Sequence, residues 1–314
     1  MTTVEARERI RERRRRREGR DEPHLPWTRD RIERRVLGIL RWVVVAGFLV
    51  AALVPFYYML LLSVRPIESL LLDPGRLLPN VDDLTFRTYR EALTSVQGGG
   101  QGFLRFLANS AVVAVASMLI ALAVAIPGAY AVSRLPFFGR RQVSALFLAV
   151  YLFPAIVVAI PLFVLFTKVG LQGSLFGLVL VYVSQTVPVA VYMLRNYFES
   201  LPDGVEEAGM IDGLGRLGVL WHITLPLALP SIMATGLFEF MIAWNEFLFA
   251  LLFLLDERDR WTVSLGLATL SDSVEVPATV LMAGSVIITL PVVALFFATE
   301  RLLTEGLASG AEKG

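Results

Sequence analysis

The sequence predicts an all-α polytopic membrane protein with six transmembrane helices. Three observations carry this. Of 314 residues, 55% are hydrophobic and the mean hydropathy is +0.64, well above that of ordinary soluble domains. Six apolar stretches are each long enough for the roughly 20 residues that a helix needs to cross a bilayer core. The charge is also unevenly placed: net charge is +1, yet residues 1–35 hold thirteen arginines, Arg7 through Arg35.

The arm, residues 1–35, comes first. Its arginines read as a topology signal on a solvated segment, and the pairs Glu5/Arg9 and Glu12/Arg16 at i,i+4 support a charged helix. It lacks the interleaved aromatics and the fold of a nucleic-acid binder, so no nucleic-acid partner is expected. About 35 polar residues precede the first apolar run, and no small-residue cleavage site follows it, so no cleavable signal is expected. The spans are then expected at about 36–63, 103–132, 144–167, 173–194, 229–255 and 277–299. Prolines 55, 127, 154, 161, 188 and 291 punctuate them, which membrane helices tolerate when neighbours satisfy the freed backbone groups.

Basic residues orient the spans. The arginine arm places the N-terminus in the cytoplasm, and six spans return the C-terminus there. Arg134, Arg140 and Arg141 then fall inside, Lys168 outside and Arg301 inside. The joint 195–228 holds Arg195 and Arg216 with five acidic groups; acidic residues weigh little in the rule, so it is placed in the cytoplasm. Residues 64–102, ending in a glycine-rich segment 97–102 read as a flexible link, and the acidic segment 256–276 fall outside. The expected localisation is therefore the cell membrane, multi-pass, with both termini cytoplasmic.

The chain has no cysteine, and His24 and His222 stand far apart, so neither thiolate nor histidine metal sites are expected. No G-x-x-x-x-G-K-[ST] stretch occurs, which excludes a P-loop nucleotide site. No catalytic residue, cofactor or metal is assigned, and the chain is expected to be no enzyme.

Two regions draw chemical interest. In the joint at about 198–228, Asp203 reads as an N-cap with Glu206 three residues on, a capping-box spacing. Glu206 and Glu207 favour the positive end of a helix, and Gly213 suits its left-handed C-terminal position. A second short helix is expected from Arg216 to Ile223, stopped by Leu225-Pro226. Ala208 and Gly209 are small enough to let another backbone approach, and Leu217, Leu220 and Trp221 make an apolar set. In the fifth span, Glu239 and Glu246 stand seven residues apart on one helical face, separated by ~10 Å. Ionisable groups within spans point to function. With Asn245 and Trp244, and with Tyr182, Gln185 and Thr186 of the fourth span, they are the pathway-lining candidates.

Glu207-Ala208-Gly209-x3-Gly213-x9-Ile223-x-Leu225-Pro226 resembles the E-A-A-x3-G-x9-I-x-L-P motif of permease subunits from binding-protein-dependent ATP-binding-cassette (ABC) importers. Gly209 stands where the motif has alanine, a small-for-small change that weakens the helix by ~1 kcal/mol. Asn109-Ser110, Ala129-Tyr130-Ala131 with Arg134, Phe153-Pro154, Ala243-Trp244-Asn245-Glu246 and the ending 306–314 are similar to the carbohydrate-uptake branch, nearest the maltose and trehalose type. The likeness covers about 36–314 and leaves the arm outside. It implies a type I importer permease whose joint is a cytoplasmic coupling helix, with Glu206, Glu207, Ala208, Gly209, Asp212 and Gly213 meeting an ATPase and the tail reaching toward it. It also implies the partners: a second permease, two ATPase subunits, an extracytoplasmic solute-binding protein, the lipid bilayer and a sugar. Glycerol-phosphate-type solutes, an ion-coupled secondary transporter and a membrane scaffold are the alternatives.

Overall fold

The computed structural model describes residues 29–78 and 83–311, without the side chains of 29–32, 148, 151 and 301–311. The expectations for most of the arginine arm and for the tail's contacts fall outside these. Two units are described separately, residues 1–57 and 58–314. The described part of the first lies in helix α1, Arg29–Ser63, a long apolar helix that carries Pro55 internally.

The described residues of the second unit form helices joined by short turns and loops, with no strand. After α1 come α2 (Ile67–Leu72), α3 (Arg87–Leu93), α4 (Phe103–Arg134), α5 (Arg140–Tyr151), α6 (Ala155–Lys168) and α7 (Leu175–Ser200). These are followed by α8 (Asp203–Ile211), α9 (Arg216–Val219), a π-helical turn Leu220–Thr224, α10 (Leu225–Asn245), α11 (Leu248–Leu254), α12 (Val263–Ser271) and α13 (Ala278–Ala311).

Among the described residues five helical stretches are long and apolar enough to cross a membrane. The third expected span, 144–167, is instead two helices, α5 and α6, broken at 152–154. Pro154 is the reason: it sits in extended conformation as the N-cap of α6, where its missing N–H leaves no bond unmade. The fifth span is also interrupted. It ends at Asn245 and restarts as α11, because the Glu246 carboxylate accepts the N–H groups of Phe249 (2.9 Å) and Ala250 (3.2 Å) and so caps a new helix.

Packing centres on α4. Its residues Ser110, Ala114, Ser117, Ala121, Ala125 and Ala129 recur every three or four positions, and all are buried. A seam of small side chains lets membrane helices approach closely, and α4 packs most extensively on α7 and then on α10. The core has two layers along this seam. One, with Phe103, Phe106, Tyr182, Trp244 and Trp261, surrounds the start of α4. The other, with Tyr130, Leu194, Phe198 and Leu220, surrounds its end.

The glycine-rich segment expected to be a flexible link is held by backbone bonds. Gly100 N–H donates to Ser95 O (3.0 Å), Gln101 N–H to Glu91 O (2.9 Å) and Gly102 N–H to Thr94 O (2.8 Å). A Cβ on Gly100 would lie 2.4 Å from Thr94 O, so glycine here permits backbone contact. At the start of α4, Asn109 Nδ2 donates to the carbonyls of Asp259 (2.9 Å) and Trp261 (3.0 Å), and Ser110 Oγ accepts from Val263 N–H. Segment 256–263 is thereby fixed to that end.

Candidate functional site

The joint between α7 and α10 is built from short-range signals and one long-range cluster. α8 begins at Asp203 with Pro202 as its N-cap, and no side chain caps it. The expected capping box is therefore absent. Asp203 and Glu206 both turn to Arg134, at the end of α4, instead. Arg134 Nε donates to Glu206 Oε1 (3.2 Å), Nη1 donates to Asp203 and Nη2 to Leu201 O (2.8 Å). Glu206 is only 6% exposed; its Oε1 also accepts from Thr224 Oγ1 at 3.0 Å and its Oε2 from Tyr130 Oη at 3.5 Å. A bidentate-capable, charge-assisted donor beside a buried carboxylate outcompetes a solvent-exposed cap. The local D-x-x-E pattern could not reveal this, because Arg134 is 72 residues away.

The other end of α8 follows the sequence expectation. Gly213 takes φ +94°. Leu214 N–H reaches Gly209 O (3.0 Å) and Gly213 N–H reaches Met210 O (3.1 Å), the paired bonds of a Schellman stop. Gly209 is buried, not presented outward: a Cβ there would stand 2.2 Å from Ile223 Cδ1. Its small size serves the joint's own packing. The residues facing outward are Glu207, Ala208 and Asp212, with Ile211 at 85% exposure, Leu217 at 72% and Trp221 at 66%; Leu220 is buried.

Pro226 does not stop the second helix. Residues Arg216–Asn245 form one helical rod, because the chain widens into the π-turn just before the proline. Leu225 N–H bonds to Leu220 O, five residues back. Widening makes room for a ring that would clash with the carbonyl four residues earlier in a regular helix.

The pathway candidates divide. Tyr182 is fully buried and its hydroxyl donates to Glu246 Oε2 at 2.5 Å, so these two tie α7 to the α10–α11 break. Trp244, a pathway-lining candidate, is core: it is 2% exposed, stacks on Phe240 (5.3 Å between ring centroids) and donates from Nε1 to Ile288 O (3.2 Å). Asn245 is exposed and bonds Met241 O within its own helix. Glu239 is 1% exposed and neither carboxylate oxygen has a partner among the described residues. Thr186 is buried and donates to Tyr182 O at 2.9 Å, at the wall of the cavity that Gln185 also lines. This cavity of about 940 Å³ is lined as well by Ser184, Phe153, Pro154, Ile242 and Phe249. The cavity opens beside the α5–α6 break, which apolarity alone did not reveal.

The chain is similar in sequence and fold to known proteins. The family model described as "binding-protein-dependent transport system inner membrane component" matches residues 122–307. The chain is 38% identical over 269 residues to the inner membrane ABC transporter permease protein YcjP of Escherichia coli K12, covering 86% of this chain and 94% of that one. It is 38% identical over 213 residues to the trehalose/maltose transport system permease protein MalG of Thermococcus litoralis, covering 68% and 76%. It is 31% identical over 276 residues to the trehalose transport system permease protein SugB of Mycobacterium tuberculosis, covering 87% and 97%. The fold agrees with a crystal structure of a bacterial ABC transporter involved in the import of the acidic polysaccharide alginate, with a TM-score of 0.72 at 24% identity over 88% of this chain and 98% of that one. This multi-pass helical chain belongs to the family of binding-protein-dependent transport system inner membrane components, as a permease subunit of an ABC transporter and not an enzyme.

Proposed function

We propose that this permease subunit carries a sugar, of the di- or oligosaccharide class, inward across the cell membrane, driven by ATPase subunits that dock on α8 from the cytoplasm. The observation that carries the proposal is the outward face of the joint. Ile211, Leu217 and Trp221 expose large apolar surface beside Glu207 and Asp212. Apolar patches rimmed by charge mark sites where another protein sits. The basic-residue pattern supports a cytoplasmic location for that face and for both termini, where an ATPase can reach it. The complete importer in this reading adds a second permease, two ATPase subunits and an extracytoplasmic solute-binding protein.

A sugar as cargo has two supports. MalG and SugB are named for trehalose and maltose transport. The cavity at the helix break is lined by aromatic, aliphatic and uncharged polar side chains, a surface suited to a neutral hydroxylated solute. A glycerol-phosphate-type solute would require basic groups there. Family membership favours an ATP-driven importer over the ion-coupled and scaffold alternatives.

Docking is tested by chemistry that the sequence makes simple. The chain is free of cysteine, and Ala208 is exposed on the proposed face. An Ala208→Cys variant in the assembled, transporting complex is expected to cross-link to an ATPase subunit carrying a cysteine in its docking cleft. A complex that transports normally yet gives no cross-link at any cleft position contradicts the docking. Position 209 is unsuitable for the probe, because a side chain there strikes Ile223.

A further inference from the structure

We infer that Glu206 is a positioning residue, a buried latch that ties the docking helix α8 to both α4 and the Arg216–Asn245 rod so that the three move as one body. The inference rests on the reading of α8 as the docking helix, and assigns Glu206 a place inside the chain instead of at the ATPase contact. Four observations support it.

First, the Glu206 carboxylate is buried, so its bonds are made within the chain. Second, its donors come from two different spans: Arg134 and Tyr130 belong to the end of α4, and Thr224 to the π-turn that leads into α10. Third, the Thr224 hydroxyl would ordinarily bond a carbonyl of its own helix one turn back; here it donates to Glu206, and Thr224 is fully buried. Fourth, the contact of Gly209 with Ile223 lies beside the latch, so α8 meets the π-turn through an apolar contact as well as a polar one. A buried ion pair adds little net stability because desolvation opposes it. What it does supply is a fixed geometry, since separating the partners strands a charge in an apolar layer.

The consequence is mechanical. From Thr224 the rod continues to Ile242, which lines the cavity, about 27 Å away at 1.5 Å per residue. A displacement of α8 is carried to the cavity wall along this rod through the Glu206–Thr224 bond, with the Gly209–Ile223 contact beside it. The neighbouring helices are tied to the same end: Arg140 Nη2 donates to Ser133 O at 2.7 Å and contacts Glu199 Oε1 at 3.4 Å, joining α5 to α4 and α7.

The test uses the complete complex in proteoliposomes, with the Ala208→Cys probe present throughout. Glu206→Gln keeps the shape of the side chain and removes its charge; Thr224→Val keeps its volume and removes the donor to Glu206. The readout is solute imported per ATP hydrolysed, which general destabilisation of the subunit would not change in the surviving complexes. Glu206→Gln is expected to lower this ratio by about tenfold and Thr224→Val by about threefold, with the cross-link retained in both. An unchanged ratio in both variants overturns the latch. Loss of the cross-link in the variants alone also overturns it, because Glu206 would then shape the docking surface and not transmit its motion. Loss of the cross-link in the parent as well refutes the docking reading, and the latch falls with it. Should Glu206→Gln fail to assemble, Thr224→Val decides: a reduced ratio supports the latch and an unchanged one overturns it.

Discussion

Replacing Glu207 by alanine, or Gly213 by valine, is expected to lower ATP-driven import by about tenfold or more while the protein still inserts in the membrane. The two changes act differently. Glu207 is exposed on α8 beside Ala208, and no bond to another described residue holds it. Its removal therefore leaves the fold intact and deletes only what it offers a partner. Gly213 acts through the backbone. At φ +94° an L-residue pays about 1–2 kcal/mol for the left-handed conformation, and a β-branched one more. Relief of that strain breaks the paired bonds that end α8 and misdirects the rod that starts at Arg216. Import assays on complexes quantified in the membrane fraction check both. Full import in either variant contradicts the coupling role of the joint.

Arg134→Ala has the largest expected effect on the joint itself. It leaves the Glu206 carboxylate buried with only neutral donors, and it also releases Asp203 and the Leu201 carbonyl. Removing one partner of a buried ion pair costs about 3–5 kcal/mol. Amide hydrogen exchange across 203–224 is expected to accelerate by about two orders of magnitude or more if that energy is local to the joint, with the seam of α4 unchanged. Arg134→Lys restores the charge but cannot reach Glu206, Asp203 and Leu201 together, because a single ammonium lacks the planar fork; it should recover only part of the protection. Equal protection in the alanine variant would show that the cluster does not hold α8.

The sequence made the spans legible because length and apolarity are local and decide membrane crossing. It did not show where spans break. Pro154 and Pro188 look alike in a hydropathy profile, yet Pro188 lies inside α7 and Pro154 starts a new helix. The break after Asn245 depends on a carboxylate turning back onto the N–H groups of Phe249 and Ala250, and Glu246 was read instead as a pathway group. The stop of α8 was legible because Gly213 and its two backbone bonds are local. The role of Glu206 was not: a capping-box spacing fits an inward-facing glutamate equally well, and only the approach of Arg134 and Thr224 distinguishes them. Pro226 misled for a related reason, since the π-turn that accommodates it leaves no mark in composition. Trp244 shows the limit of residue type, because its indole N–H finds a carbonyl inside the bundle and needs neither solute nor lipid headgroup.

The source of driving force tests the central claim most directly. Proteoliposomes holding the complete complex, with the solute-binding protein outside and ATP inside, are loaded with labelled disaccharide in the presence and absence of an uncoupler. Import that requires internal ATP and persists with the uncoupler is the predicted result. Import that survives removal of ATP and collapses with the uncoupler would contradict it, and would return the buried carboxylate of Glu239 to the centre of an ion-coupled mechanism.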